Sequence, residues 1–196
     1  MTQPTSSAHL KTTEVIDERR TLRQTLLQQR RQLDPELRKM WDQSLIDHLL
    51  AWCEAEKPAS LAVYSPIRGE PDLCRSYSSI SAMGIALAFP FVLTKNRPLE
   101  FLAWREGDPM TTDEFGIPVP LQRDHLITPE AMLIPCVGFN DRRYRLGYGG
   151  GFYDRTLAVL PSVISIGIAY QNQLCEFEPG IHDIAMVKIL TESSCE

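Results

Sequence analysis

Helical spacing of apolar residues is clearest between Leu37 and Trp52. Leu37, Met40, Trp41, Leu45, His48, Leu49 and Trp52 recur at i, i+3 and i+4, one stripe of an amphipathic helix. Asp34-Pro35, just ahead of it, supplies an N-cap and a first helical residue. His48 has apolar neighbours on that stripe, so it reads as a histidine at the edge of a packed face rather than as a ligand or base. From Glu18 to about Leu33 the composition is also helical, with Leu22 and Leu26 on one face and arginines elsewhere. Residues 1–17 are polar, and a loose tail is expected there and over 193–196.

Beyond Lys57-Pro58 the apolar runs shorten. Leu61–Tyr64, Ile85–Val92, Leu99–Trp104, Met132–Phe139, Val163–Tyr170 and Met186–Leu190 are bounded by turn residues and read as strands. Residues 72–83 read as a helix capped by Gly84, and 152–160 as another, while 105–125 read as irregular. Strands alternating with helices or long crossovers predict an α/β fold. The expectation is a single domain over 18–192 whose mostly parallel sheet is flanked by helices. In such sheets ligands sit beyond the carboxyl ends of strands, where the loops 65–71 and 140–151 fall.

The 196 residues are 43% hydrophobic and 23% charged, enough for a core covering roughly 70% of the unfolded surface without staples. The net charge of −5 argues against a general nucleic-acid binder. The positive charge is nevertheless gathered. Glu18–Met40 holds seven Lys/Arg against three acids, and Asp141–Arg155 holds four Arg against two Asp. Two basic segments in an acidic chain can focus an anion into one cleft. No secretory signal and no membrane-length apolar run is visible, so a cytoplasmic protein without membrane contact is expected. Five scattered cysteines without a CxxC pair read as reduced thiols, and the four scattered histidines suggest no zinc site.

The strongest local signal is Arg145-Leu146-Gly147-Tyr148-Gly149-Gly150-Gly151-Phe152-Tyr153-Asp154-Arg155. Glycines between a strand and a helix let free amides approach an anion, and the helix N-terminus and arginines add positive potential. It is neither a P-loop nor a GxGxxG element, and phosphate binding is favoured over a mere flexible turn. Asp154 suits either a Mg²⁺ ligand or a helix-start carboxylate satisfying amides. Glu70 sits in a Pro/Gly loop at a strand end, where it can accept hydrogen bonds from substrate ring nitrogens, although a loop glutamate is more often simply solvated. No covalent nucleophile is apparent.

Five ordered motifs together are more specific than the loop alone. Ile134-Pro135-Cys136-Val137-Gly138-Phe139-Asn140, followed by the Arg145–Arg155 stretch, resembles the signature of the 5-formyltetrahydrofolate cyclo-ligase (5,10-methenyltetrahydrofolate synthetase) family. Arg19-Arg20-Thr21-Leu22-Arg23 resembles its N-terminal Lys-x-x-Leu-Arg. Tyr64-Ser65-Pro66-Ile67-Arg68-Gly69-Glu70 resembles its Tyr-x-Pro-x-x-x-Glu, and Phe115-Gly116-Ile117-Pro118-Val119-Pro120 its Phe/Trp-x-Ile-x-x-Pro. Ile168-Ala169-Tyr170, Gln173-Leu174 and His182-Asp183 match its last elements. The departures are Arg19 for Lys, Asn140 for Asp, Phe152 for Tyr, and Val187 where an acid is common.

The resemblance implies a fold akin to the sugar-phosphate isomerase and CoA-transferase group. It implies an ATP- and Mg²⁺-dependent conversion of 5-formyltetrahydrofolate to 5,10-methenyltetrahydrofolate with release of ADP and phosphate. It further implies that Arg19, Arg23, Arg145, Leu146, Gly147, Tyr148, Gly149, Gly150, Gly151, Phe152 and Tyr153 bind ATP. Ser65, Glu70 and Phe115, with Tyr148 and residues 149–152, would line the folate side, and Asp154 and Asp183 would hold Mg²⁺. Arg145 and Glu70 are the expected catalytic pair, the expected partners are these small molecules alone, and a monomer is expected. Two rival readings are a folate- or nucleotide-binding protein without turnover and a different ATP-using enzyme on the same scaffold.

Overall fold

The computed structural model describes the backbone of residues 7–193 and side chains from residue 18 onward. Helix α1 spans Ser7–Arg31, so the tail expected over 1–17 is helical from Ser7, and residues 1–6 lie outside the described part. The sequence set the arginines apart from the Leu22–Leu26 face, whereas Arg19, Arg23 and Arg30 turn inward beside those leucines. Helix α2 (Pro35–Glu56) begins as predicted. The Asp34 carboxylate accepts the amides of Glu36 and Leu37 at 3.0 Å each, and Pro35 opens the helix. The break between the helices is closed by Arg38, whose guanidinium donates to the Arg30 carbonyl at 2.8 Å. Leu45, Leu49 and Trp52 turn inward, and His48 makes a 2.9 Å contact from Nδ1 to the Thr191 carbonyl, a structural role at the face's edge.

A six-stranded sheet carries the core. In chain order its strands are β1 (Ser60–Ala62), β2 (Ala86–Phe91), β3 (Glu100–Trp104), β6 (Ala131–Pro135), β9 (Ile164–Ile168) and β10 (Lys188–Leu190). Their spatial order is β10-β9-β6-β1-β2-β3, with every pairing parallel except β2–β3. The mostly parallel α/β sheet read from the sequence is therefore the observed one, with one antiparallel edge strand. β6 is buried at every position, as a strand covered on both faces must be. Gly167 in β9 allows that closeness, since a Cβ there would lie 2.5 Å from the Ile189 side chain.

Two small hairpins depart from the expected pattern. The stretch read as irregular contains β4 (Met110–Thr112) paired with β5 (Pro118–Pro120), and β6 is followed by β7 (Gly138–Phe139) paired with β8 (Arg145–Leu146). Both are too short, and β5 too proline-rich, to give a periodic signal. The helix predicted over 72–83 is a 3₁₀ turn (Cys74–Ser76) running into α3 (Tyr77–Ala82), and α4 spans Phe152–Val159. Cys53, Cys74, Cys136 and Cys175 are free thiols, and burial pushes the Cys53 thiol up to about 12. Among the described residues no helix is long and apolar enough to cross a membrane.

Leu49, fully buried on α2 within the core cluster, anchors that helix. Leu49→Ala is expected to lower unfolding free energy by about 2–5 kcal/mol, measured by urea denaturation.

Candidate active site

One cleft of about 780 Å³ opens beyond the carboxyl ends of β1, β2 and β6. Its walls include Arg19, Arg23, Ser65, Glu70, Phe115, Arg145, Gly147–Asp154 and Asp183. Segments far apart in the chain thus converge on one cavity. Leu146, expected among the nucleotide contacts, is not on these walls. It is fully buried beside Leu26 and Val137, and its carbonyl accepts the Val137 amide at 2.8 Å. Its strand position turns the side chain into the core beneath α1.

The loop takes the shape that its glycines permit. Gly149 and Gly151 have φ of +93° and +65°, a region costly for other residues. Gly151 is the N-cap of α4 and has no side chain to cap it, so the first amides of α4 remain available to an anion. Arg23 reaches across from α1 and donates from Nε to the Gly147 carbonyl at 2.7 Å. Arg155 braces the other side by donating to the Gly150 carbonyl at 2.7 Å.

The cations come with carboxylates. Arg145, almost fully buried, pairs with Asp154 at 2.7 Å and lies 5.4 Å from the centre of the Tyr153 ring. Arg19 pairs with Asp183 at 2.8 Å, and Asp183 also accepts the Gly180 amide at 2.7 Å. Nε of both Arg19 and Arg145 is buried without a hydrogen-bond partner. Burial, and then the neighbouring Arg19 cation, pull Arg23 below the ordinary arginine value. A further anion in this cleft relieves both effects. His182 is exposed, and Val187 is more than half exposed and away from the cleft walls. That departure from the family pattern therefore does not alter the cavity.

Another part of the wall is built from the loop after β1. Tyr77 donates to the Tyr64 carbonyl at 2.7 Å and Tyr64 to the Pro71 carbonyl at 2.8 Å, which fixes the loop's two ends. Between them, Arg68 and Gly69 take left-handed conformations, and Glu70 folds back to accept the Ile67 amide at 2.8 Å. Glu70 is only 3% exposed, so the solvated-loop reading does not hold. Burial pushes its carboxyl above the usual carboxylate range. Hydrogen bonds from Ile67 and Tyr148, and the charges of Arg30 and Arg68, act the other way. Ser65 donates to the Pro118 carbonyl at 2.8 Å and so ties the loop to the β4–β5 hairpin. At that hairpin's tip Phe115 meets Phe152 edge to face, with ring centres 6.3 Å apart.

Asn140 has its own explanation. Its Oδ1 accepts the Tyr144 amide at 3.0 Å while Nδ2 donates to the Phe177 carbonyl at 3.2 Å. An aspartate there has no donor for that carbonyl. Arg30 carried no expected role, yet it lies seven residues after Arg23 on the inner stripe of α1 and is 1% exposed. It donates to the Cys136 carbonyl, to Gln173 Oε1 at 2.8 Å and to the Tyr148 hydroxyl at 3.3 Å. Helical spacing from Arg23 was the available signal.

An anion cradle at the strand ends of a mostly parallel sheet, sharing an aromatic-edged cavity with a buried carboxylate, defines an α/β protein built to hold small ligands. Residues 15–192 match the 5-formyltetrahydrofolate cyclo-ligase family, and the chain belongs to that family. The 5-formyltetrahydrofolate cyclo-ligase of Haemophilus influenzae is 31% identical over 183 residues, which cover 83% of this chain and 97% of the relative. Among solved structures, a 5,10-methenyltetrahydrofolate synthetase from Mycoplasma pneumoniae superposes with a TM-score of 0.75 at 26% identity. It covers 89% of this chain and 98% of its own. The Aquifex aeolicus 5,10-methenyltetrahydrofolate synthetase gives 0.77 at 27% identity, covering 90% and 91%.

Gly149→Ala puts a side chain at φ +93° and is expected to cost about 1–3 kcal/mol of stability by urea denaturation.

Proposed function

We propose that this chain converts 5-formyltetrahydrofolate to 5,10-methenyltetrahydrofolate, driven by ATP and releasing ADP and phosphate. The observation that carries the reading is the convergence of Arg19, Arg23, Arg145, the glycine loop and the buried Glu70 on one cavity.

A formamide oxygen is a poor leaving group, and phosphorylation makes it a good one. The formyl oxygen attacks the γ-phosphorus and ADP leaves. The neighbouring amine then bonds to the formyl carbon and gives up its proton, and the carbon–oxygen bond breaks to release phosphate. Phosphoryl transfer asks the protein chiefly for positioning and charge stabilisation. Arg145, Arg19 and Arg23 supply the charge, and the amides of 147–153 and the start of α4 hold the phosphate chain. Glu70 accepts hydrogen bonds from the folate ring system near its reacting nitrogens. Ser65 holds the hairpin that brings Phe115 and Phe152 to the cavity's edge, where they pack against rings.

Mg²⁺ fits this donor set in a particular way. Among the described residues no cluster of three or more His, Cys, Asp or Glu forms a protein cage. Magnesium is commonly bound by one or two carboxylates, substrate phosphates and water, and Asp154 and Asp183 on the cleft wall meet that need. When bound, it neutralises charge on the transferring phosphoryl group. The arginine partners of these aspartates then turn to phosphate oxygens.

The test is formation of methenyl absorbance from 5-formyltetrahydrofolate, expected only with both ATP and Mg²⁺. Arg145→Ala is expected to lower kcat by about 10²-fold or more. Ligand binding without product by the wild-type protein overturns the reading.

A further inference from the structure

We propose that Arg30 is a positioning residue, acting through the Tyr148 hydroxyl to hold Glu70 as an oriented carboxylate in the folate side of the cleft. The proposal rests on the function given above and adds a residue that lines no part of the cavity.

The geometry is a one-way chain of donors. A guanidinium has no acceptor, so Arg30 can only donate to the Tyr148 oxygen. The Tyr148 proton must therefore point the other way, to Glu70 Oε1 at 2.8 Å. Glu70 Oε2 is held by the Ile67 amide at 2.8 Å. Both carboxylate oxygens thus receive a donor, an arrangement that suits the ionised form, and each keeps a lone pair for a ring N–H. A proton on Glu70 would take one of those remaining lone pairs and weaken that oxygen as an acceptor.

Arg30 itself is rigid. Its other bonds reach the Cys136 carbonyl and Gln173 Oε1, and the Gln173 amide donates onward to the Val137 carbonyl at 2.8 Å. The guanidinium is thereby fixed between α1, the turn after β6 and the turn after β9. A buried cation with so fixed a set of partners is costly to keep, and no carboxylate touches it directly among the described residues. Glu70, one hydroxyl away, is its counter-charge.

The surroundings of Glu70 make its titration separable. Arg30 approaches from α1, Arg68 stacks 5.2 Å over the Tyr148 ring, and Arg38 of α2 lies beside Gly69. Tyr64, Tyr148, Tyr153 and Cys136 also feel the Glu70 charge, and burial pushes all four above their ordinary values, so they stay neutral where a carboxylate titrates. Removing Arg30 withdraws a favourable charge and the polarised hydroxyl together. Glu70 then takes up a proton at higher pH, and capture of folate weakens as pH falls through that value.

Two readouts test this. In ¹³C-carboxyl NMR of the ligand-free protein, Arg30→Met and Tyr148→Phe are each expected to raise the Glu70 titration midpoint by about one pH unit. Arg30→Lys, which keeps the charge, is expected to recover most of it. In turnover assays the acid limb of kcat/KM for 5-formyltetrahydrofolate should move by the same amount. Should Arg30→Met not fold, Tyr148→Phe decides the matter, because it leaves the other Arg30 bonds in place. A Glu70 midpoint unmoved in Tyr148→Phe overturns the proposal, and so does a moved midpoint with an unmoved acid limb. Absence of turnover in the wild-type protein overturns the functional reading instead, and the NMR titration still reports on the relay.

Discussion

Helix α1 reaches the glycine loop only because residue 138 has no side chain. A Cβ on Gly138 would stand 2.6 Å from Leu26 and 2.9 Å from the Cys175 sulfur. That close approach seats the leucines of α1 against Val137 and Leu146, and it sets the depth at which the arginines enter. Arg23 then meets Gly147, Arg19 meets Asp183, and Arg30 meets the Cys136 carbonyl. A helix standing even one ångström further out would lose all three contacts, since hydrogen bonds weaken steeply with distance. The hydrophobic seam and the phosphate site are therefore one structural event.

The cleft is less positive than the distribution of charge along the chain suggests. Arg19, Arg23, Arg68 and Arg145 share its wall with Glu70, Asp113, Asp154 and Asp183. Two of the cations are already paired. Such pairing holds flexible guanidiniums in place before a nucleotide arrives, which limits the ordering cost of binding. An anion that claimed these two guanidiniums would have to displace the carboxylates they already hold.

Much of the fold was visible in one dimension. The Asp34-Pro35 start, the α2 stripe and the apolar strand runs each obey a local rule, and local rules survive folding. The glycine loop and its arginines were legible because their residue types are chemically unusual together. The amino-terminal extension of α1 over 7–17 was not, because SAHLKTTEVID is polar and carries no apolar stripe. The β4–β5 and β7–β8 hairpins were too brief to show a period. Glu70 looked like a solvated loop residue because its burial is created by Tyr148, which lies 78 positions away. Arg30 was silent for the same reason: its partners, Cys136, Tyr148 and Gln173, lie more than 100 residues further on. The inward turn of the Leu146 side chain was not legible either, because a signature motif does not say which of its members face the core.

The cavity's walls run from Arg19 to Asp183, and the central strand β1 is paired on one side with β6, some seventy positions later. During synthesis the first helix leaves the ribosome long before anything exists for its arginines to hold. An amino-terminal fragment that ends before the glycine loop carries Arg19, Arg23 and Arg30 without the partners they hold in the finished fold. A ligand that needs the whole wall therefore stabilises the finished chain and not such a fragment.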